Sequence, residues 1–282
     1  MARIVLGHRD GALATRLART VLTDLAAEWP DVQLVPRTLT GAADADDDPV
    51  LQALASGAIG LAVVACDTLR TPLPEGIALV AVTRRLEPRL ALVTKGAVGM
   101  EGLASQALIG VGADRDLPFL KALFPDMRPE TVGTDVDRAL ARLATGELDA
   151  LVLSASTLIM MDRRDHARTL LDPDVLPPAP GQGSLALLAR SDDDLAAEVA
   201  YTLQHRPSYD RVRAERAFAA GLPARATGAL ATVDEEGEMQ LFGAVALGGT
   251  TLQASVSGEA REAEELGSEL AKDVAAQLDA MG

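Results

Sequence analysis

The chain alternates short apolar runs with amphipathic stretches, and the alternation restarts once. Residues 3–6 read as a buried strand. Residues 13–29 place Leu13, Leu17, Val21 and Leu25 at helical spacing. Strand-like runs follow at 32–35, 59–64 and 77–82, with part of a helix at 51–56. This βαβα order predicts a mostly parallel, doubly wound sheet, because parallel neighbours need a crossover between them. The pattern then begins again. Strands are expected at 90–93 and 107–111, helices at 117–123 and 136–144, and a further strand at 148–153. Gly146 stands where a left-handed residue would stop the second of those helices.

A proline-rich stretch at 176–180 leads into Gly181-Gln182-Gly183 and the apolar run 185–188. That run is expected to carry the chain back into the first sheet. After residue 206 the character changes. A helix at 211–220 precedes three strand-like runs at 226–233, 239–247 and 251–257, then a closing helix at 259–281. Asp234–Gly237 and Gly248-Gly249 supply hairpin turns. The expected division is 1–87 plus 184–205 for a first α/β lobe, 88–183 for a second, and 206–282 for a small αβββα domain. Two lobes joined by crossing segments predict a hinged cleft. Ligands of open α/β sheets bind at the carboxyl ends of the strands. The loops there are 7–13, 65–71, 111–115 and 132–137.

Composition narrows the function. The 282 residues are 48% hydrophobic but only 2% aromatic, so the cores must be built from Ala, Leu and Val. Few aromatics argue against stacking platforms for single-stranded nucleic acid. The formal net charge is −15, which opposes a phosphate-backbone partner. There is one cysteine, Cys66, so no intramolecular disulfide can form. His8, His166 and His205 are far apart, and no metal-ligand spacing emerges. No leader or membrane span is read, and the expectation is a cytoplasmic monomer binding a small anionic molecule, with no nucleic acid, membrane or metal partner.

Several segments, taken in order, carry a resemblance. Gly7-His8-Arg9 with Leu13-Ala14 resembles an opening Gly-Thr-Arg-x-Ser-x-Leu-Ala. Leu73-Pro74-Glu75-Gly76, Pro88-Arg89, Gly146-Glu147-Leu148-Asp149-Ala150 and the segment 176–183 follow. Ala214-Glu215-Arg216-Ala217-Phe218 completes the series. Together they resemble the porphobilinogen deaminase (hydroxymethylbilane synthase) family. The resemblance implies three domains, with two lobes like a type II periplasmic binding protein and an active cleft between them. It implies condensation of porphobilinogen into a linear tetrapyrrole with release of ammonia. It further implies a dipyrromethane cofactor on a cysteine of the third domain, an aspartate that handles pyrrole nitrogens, and cations that bind acetate and propionate groups.

The chain departs from that pattern at chemically important places. Aligning Gly228-Ala229 puts Pro223 at the expected cysteine, and proline cannot form a thioether. The family's dipyrromethane is therefore expected to be absent. Counted back from Leu73, Asp67 replaces the family lysine and Thr68 the catalytic aspartate; a one-residue gap puts Asp67 on the aspartate instead. Both remain candidates for the catalytic position. Arg9 and Arg115 match family arginines, and Asp116 follows the second. Segment 133–139 lacks both arginines of its counterpart and offers Asp135, while a later family arginine falls near Met160. The loop 44–48 reads Asp-Ala-Asp-Asp-Asp where the family has glycine and lysine.

Arg9, Gly11, Arg115 and Asp135 are thus the candidate ligand-binding residues. Arg9 and Arg115 could each be a structural arginine instead, and Asp67 an N-cap. His8 reads as a solvent-facing loop histidine and Cys66 as a structural thiol. Each charge-assisted contact to a carboxylate contributes about 1.5–3 kcal/mol, so a pocket with fewer cations suits a smaller ligand. The leading expectation is a family member with a degenerate site, repurposed to bind or transform a small carboxylate-bearing ligand, pyrrolic or otherwise. The high alanine content and the preference for arginine over lysine suggest a GC-rich genome and a role in specialised metabolism. The alternatives are a working hydroxymethylbilane synthase with a non-covalent primer, and a non-enzymatic binding module.

Overall fold

The computed structural model describes residues 2–41, 48–69, 71–96, 99–223 and 225–281. Of the aspartate-rich loop, 44–47 lie outside the described residues and only Asp48 falls within them. The chain begins with β1 (Ala2–Arg9), α1 (Ala12–Glu28), β2 (Val32–Leu39), α2 (Pro49–Ala55), β3 (Leu61–Ala65) and β4 (Ile77–Val82). It continues with β5 (Leu90–Thr94), β6 (Leu108–Val111), α3 (Asp116–Leu123), β7 (Arg128–Thr131), α4 (Val136–Thr145), β8 (Ala150–Ser154), α5 (Ala155–Met160) and β9 (Thr169–Leu170). Then come β10 (Leu185–Arg190), α6 (Asp194–Tyr201), α7 (Arg206–Ala220), β11 (Ala226–Val233), β12 (Glu238–Leu247), β13 (Thr250–Glu259) and α8 (Ala263–Met281).

These elements form two compact units, 1–85 with 184–209, and 86–183 with 210–282. The first holds a five-stranded sheet ordered β2-β1-β3-β10-β4. β1 runs parallel to β2 and β3, and β10 runs antiparallel to β3 and β4. The apolar run 185–188 does return to the first sheet, as β10. Its hydrophobic cluster combines Ile4, Leu6, Leu61, Val63 and Leu187 with Val21 and Leu25 of α1 and Val199 of α6. Leu17, Val21 and Leu25 are buried as the helical spacing predicts, which is the face α1 lays on the sheet.

The second unit repeats this plan. Its five-stranded sheet is ordered β7-β6-β8-β5-β9, and the fourth strand again runs against its neighbours. Alternate residues of β5 serve the two faces. Leu90 and Leu92 join Phe119 and Leu120 of α3, while Ala91 and Val93 join Ala139 and Leu143 of α4. Gly146 closes α4 with φ of 83°, the left-handed stop read from the sequence.

A third sheet accompanies those of the two lobes, as the three-domain reading expects. The three-stranded sheet β11-β12-β13 belongs to the same compact unit as the second lobe. The reason is a shared core: Ala244 and Ala246 of β12 pack in the cluster that holds Leu90, Ile109 and Phe119. The other face of that sheet packs on α7 and α8 through Phe218, Leu241, Leu270 and Val274.

Boundaries also differ in one place that matters for the site. β1 extends to Arg9, paired with Leu39 of β2, so Arg9 ends a strand rather than lying in a loop. Parallel pairing along all of β2 holds those extra residues extended. β7, β9, α5 and α6 lacked a clear period in the sequence and are additional.

Candidate active site in the first unit

Two sequence candidates, Arg9 and Thr68, meet at the carboxyl ends of β1 and β3, together with Asp48. Nη1 of Arg9 donates to Oγ1 of Thr68 at 3.2 Å, and Nη2 donates to Oδ2 of Asp48 at 2.5 Å. Thr68 ends the 3₁₀ turn Cys66–Thr68 that follows β3, and its hydroxyl donates to the carbonyl of Ala65 at 3.0 Å. Asp48 caps α2: its Oδ1 accepts from the amide of Val50 at 2.9 Å. One carboxylate thus holds a helix terminus with one oxygen and Arg9 with the other. Its side chain is 10% exposed, against 26% for Arg9. The pair satisfies a carboxylate that would otherwise be costly to bury.

The backbone beneath Arg9 is fixed by His8. Nδ1 of His8 lies 2.7 Å from the carbonyl of Arg9, and Nε2 lies 3.3 Å from Oγ1 of Thr38. A carbonyl only accepts, so Nδ1 carries the hydrogen and donates. His8 is 3% exposed. The expectation of a solvent-facing loop histidine is therefore corrected: parallel pairing carries β1 past position 8 and turns the ring into the sheet.

Asp67 is exposed in the middle of the 3₁₀ turn, next to Thr68. Cys66 begins the turn, is 1% exposed and donates its amide to the carbonyl of Ser184 at 3.0 Å. Gly11 is the N-cap of α1, with φ of 112° and no side-chain cap. A Cβ there would meet nothing within 4 Å, so the backbone conformation rather than space calls for glycine. Its amide donates to Oδ1 of Asp10 at 2.7 Å.

The remaining candidates lie in the second unit and are engaged structurally. Nη2 of Arg115 donates to the carbonyl of Pro177 at 2.9 Å, and Nη1 pairs with Asp116 at 3.2 Å. Its guanidinium carbon stands 5.1 Å from the centre of the Phe119 ring, a cation–π distance. Burial pushes the Asp116 carboxyl above its ordinary value, and the charge of Arg115 opposes that shift. Asp135 is the N-cap of α4, its Oδ1 accepting from the amide of Arg138 at 3.0 Å. Pro223 is exposed in the turn after α7.

Sequence reasoning did not single out Asp48, which it read as the end of a solvated loop. The signal was present: Asp48 before Pro49 is a helix start, with the cap residue followed by proline at the first helical position.

Among the described residues, no helix is long and apolar enough to cross a membrane. Two doubly wound α/β sheets and a small α+β portion, with an arginine and a threonine joined at strand ends, define a two-lobed α/β protein with a polar cluster where such sheets take ligands. A family model described as "Porphobilinogen deaminase, dipyromethane cofactor binding domain" matches residues 4–198. The porphobilinogen deaminase of Thermus thermophilus is 39% identical over 291 residues, covering 98% of this chain and 97% of that protein. That of Deinococcus radiodurans is 35% identical, covering 97% and 96%. The chain belongs to the porphobilinogen deaminase family. The matched domain overturns one expectation, that the dipyrromethane is absent: it is the cofactor-binding domain itself that this chain retains.

Proposed function

We propose that this protein is a porphobilinogen deaminase, a transferase that condenses porphobilinogen into a linear tetrapyrrole and releases ammonia. The observation that carries the reading is 39% identity to a porphobilinogen deaminase over 98% of the chain. Likeness at that level, extending from the first strand to the last helix, favours a working enzyme over a repurposed binder.

The residues present do not fit a thioether-linked cofactor. Position 223 is a proline, and the single thiol, Cys66, is 1% exposed in the first unit. The reading is therefore of a dipyrromethane or pyrrole primer held without a covalent bond. Arg9 is the proposed partner of a substrate carboxylate. Asp67 is the proposed proton-handling residue at the pyrrole nitrogen, because it is exposed next to Thr68 and carries a carboxylate where Thr68 has only a hydroxyl. Arg115 and Asp135 are left to the fold.

The test is incubation of the pure protein with porphobilinogen, following released ammonia and the porphyrin formed on oxidation of the product. Mass spectrometry is then run on native and on denatured protein. The expected result is turnover, with pyrrole mass on the native protein only. Absence of ammonia rejects the activity. Pyrrole mass surviving denaturation rejects the non-covalent primer.

A further inference from the structure

Asp48 does more than cap α2. Its two oxygens serve two different elements: Oδ1 accepts from Val50 at the start of α2, and Oδ2 accepts from Nη2 of Arg9 at the end of β1. A cap needs only the first of these. The second holds Arg9 through Nη2 while Thr68 holds it through Nη1, so the guanidinium is fixed through two different nitrogens. With the His8 contact beneath its carbonyl, Arg9 is anchored at backbone and head alike.

We infer that Asp48 is a positioning residue for Arg9, fixing the orientation in which that guanidinium meets an anionic ligand. The link to chemistry rests on the activity proposed above; the hold on Arg9 does not. Two effects of removing the Asp48 charge are separable. Loss of a negative charge beside Arg9 favours an incoming carboxylate, so KM is not expected to rise. Loss of the fixed orientation works against the reacting geometry, where small misplacements are costly, so kcat is expected to fall about tenfold. A cap alone would produce neither change, because asparagine caps helices about as well as aspartate.

The experiment uses Asp48→Asn, with Asp48→Ser as a second variant that caps α2 but is too short to reach Arg9. Melting temperature, porphobilinogen kinetics, and phenylglyoxal labelling of Arg9 by peptide mass are compared with the unaltered protein. The inference expects an unchanged Tm, several-fold faster labelling of Arg9, a lower kcat and a KM that does not rise, in both variants. Equal labelling of Arg9 in the folded variants overturns the hold. Faster labelling with unchanged kcat overturns its role in the reaction. If the unaltered protein itself shows no turnover, the proposed activity falls, and the labelling alone decides whether Asp48 holds Arg9.

Discussion

The carboxylate of Glu215 accepts the amide of Gly181 at 2.6 Å with one oxygen and the amide of Ala231 at 2.7 Å with the other. Glu215 is fully buried on α7. It ties the turn 181–183 to β11, two segments separated by the whole of α6 and α7. The most complete piece of the family resemblance, residues 214–218, is thus a device of the fold: Glu215 bridges, while Ala214 and Phe218 fill the core against α8.

Removing that bridge should cost stability. Glu215→Ala leaves two amides without their acceptor, each bond to a charged group contributing about 1.5–3 kcal/mol. Glu215→Gln keeps one acceptor and should lose about half as much. Urea unfolding of both variants reads the difference, and a Glu215→Ala midpoint equal to that of the unaltered protein would reject the bridge.

Arg9 and Arg115 should part company when each is changed to alanine. Arg9→Ala is expected to weaken porphobilinogen binding, since a charge-assisted carboxylate contact of about 1.5–3 kcal/mol is lost. Arg115→Ala is expected to leave binding near normal but lower stability by about 3–5 kcal/mol, because Asp116 then sits buried without its counter-charge. Isothermal titration and thermal melts distinguish the two. Equal loss of affinity in both would return Arg115 to the binding set.

Much of the frame was legible because it rests on period and burial. Leu17, Val21 and Leu25 announced α1, and the apolar run 185–188 announced its return to the first sheet. Short strands such as β9, with two residues, carry no readable period. The site was harder to read because its contacts are long-range. Nothing in the string places Asp48 beside Arg9, 39 positions earlier, or hides the ring of His8 beneath β2. For Arg115 the residue type suggests an anchor, and what the string does not show is that a carbonyl, a carboxylate and an aromatic ring already engage it.

Asp67→Asn should reduce turnover far more than affinity. A positioned acid or base contributes about 10²–10⁴-fold to rate, and asparagine preserves the shape of the side chain without its proton chemistry. Thr68→Val, by contrast, removes one support of Arg9 and should produce a smaller loss. Steady-state ammonia release from both variants provides the measurement. Thr68→Val slower than Asp67→Asn would reverse the assignment within the turn.

Asp116 gives the fold a pH dependence whose sign is fixed by burial. Its carboxyl titrates above the ordinary value of 3.8 in the folded chain, chiefly through desolvation and against the pull of Arg115. The folded state therefore binds this proton more readily than the unfolded one. Its contribution to stability is fully present below the unfolded value and is lost as pH rises through the folded one. Asp116→Asn lacks that titration. The stability of the unaltered protein relative to Asp116→Asn should thus improve as pH is lowered from neutral toward about 4.5, which still lies above the ordinary value. Urea midpoints for both proteins at the two pH values test it. A difference that stays constant, or that moves the other way, would mean that Arg115 outweighs burial and that Asp116 remains charged in the fold at no cost.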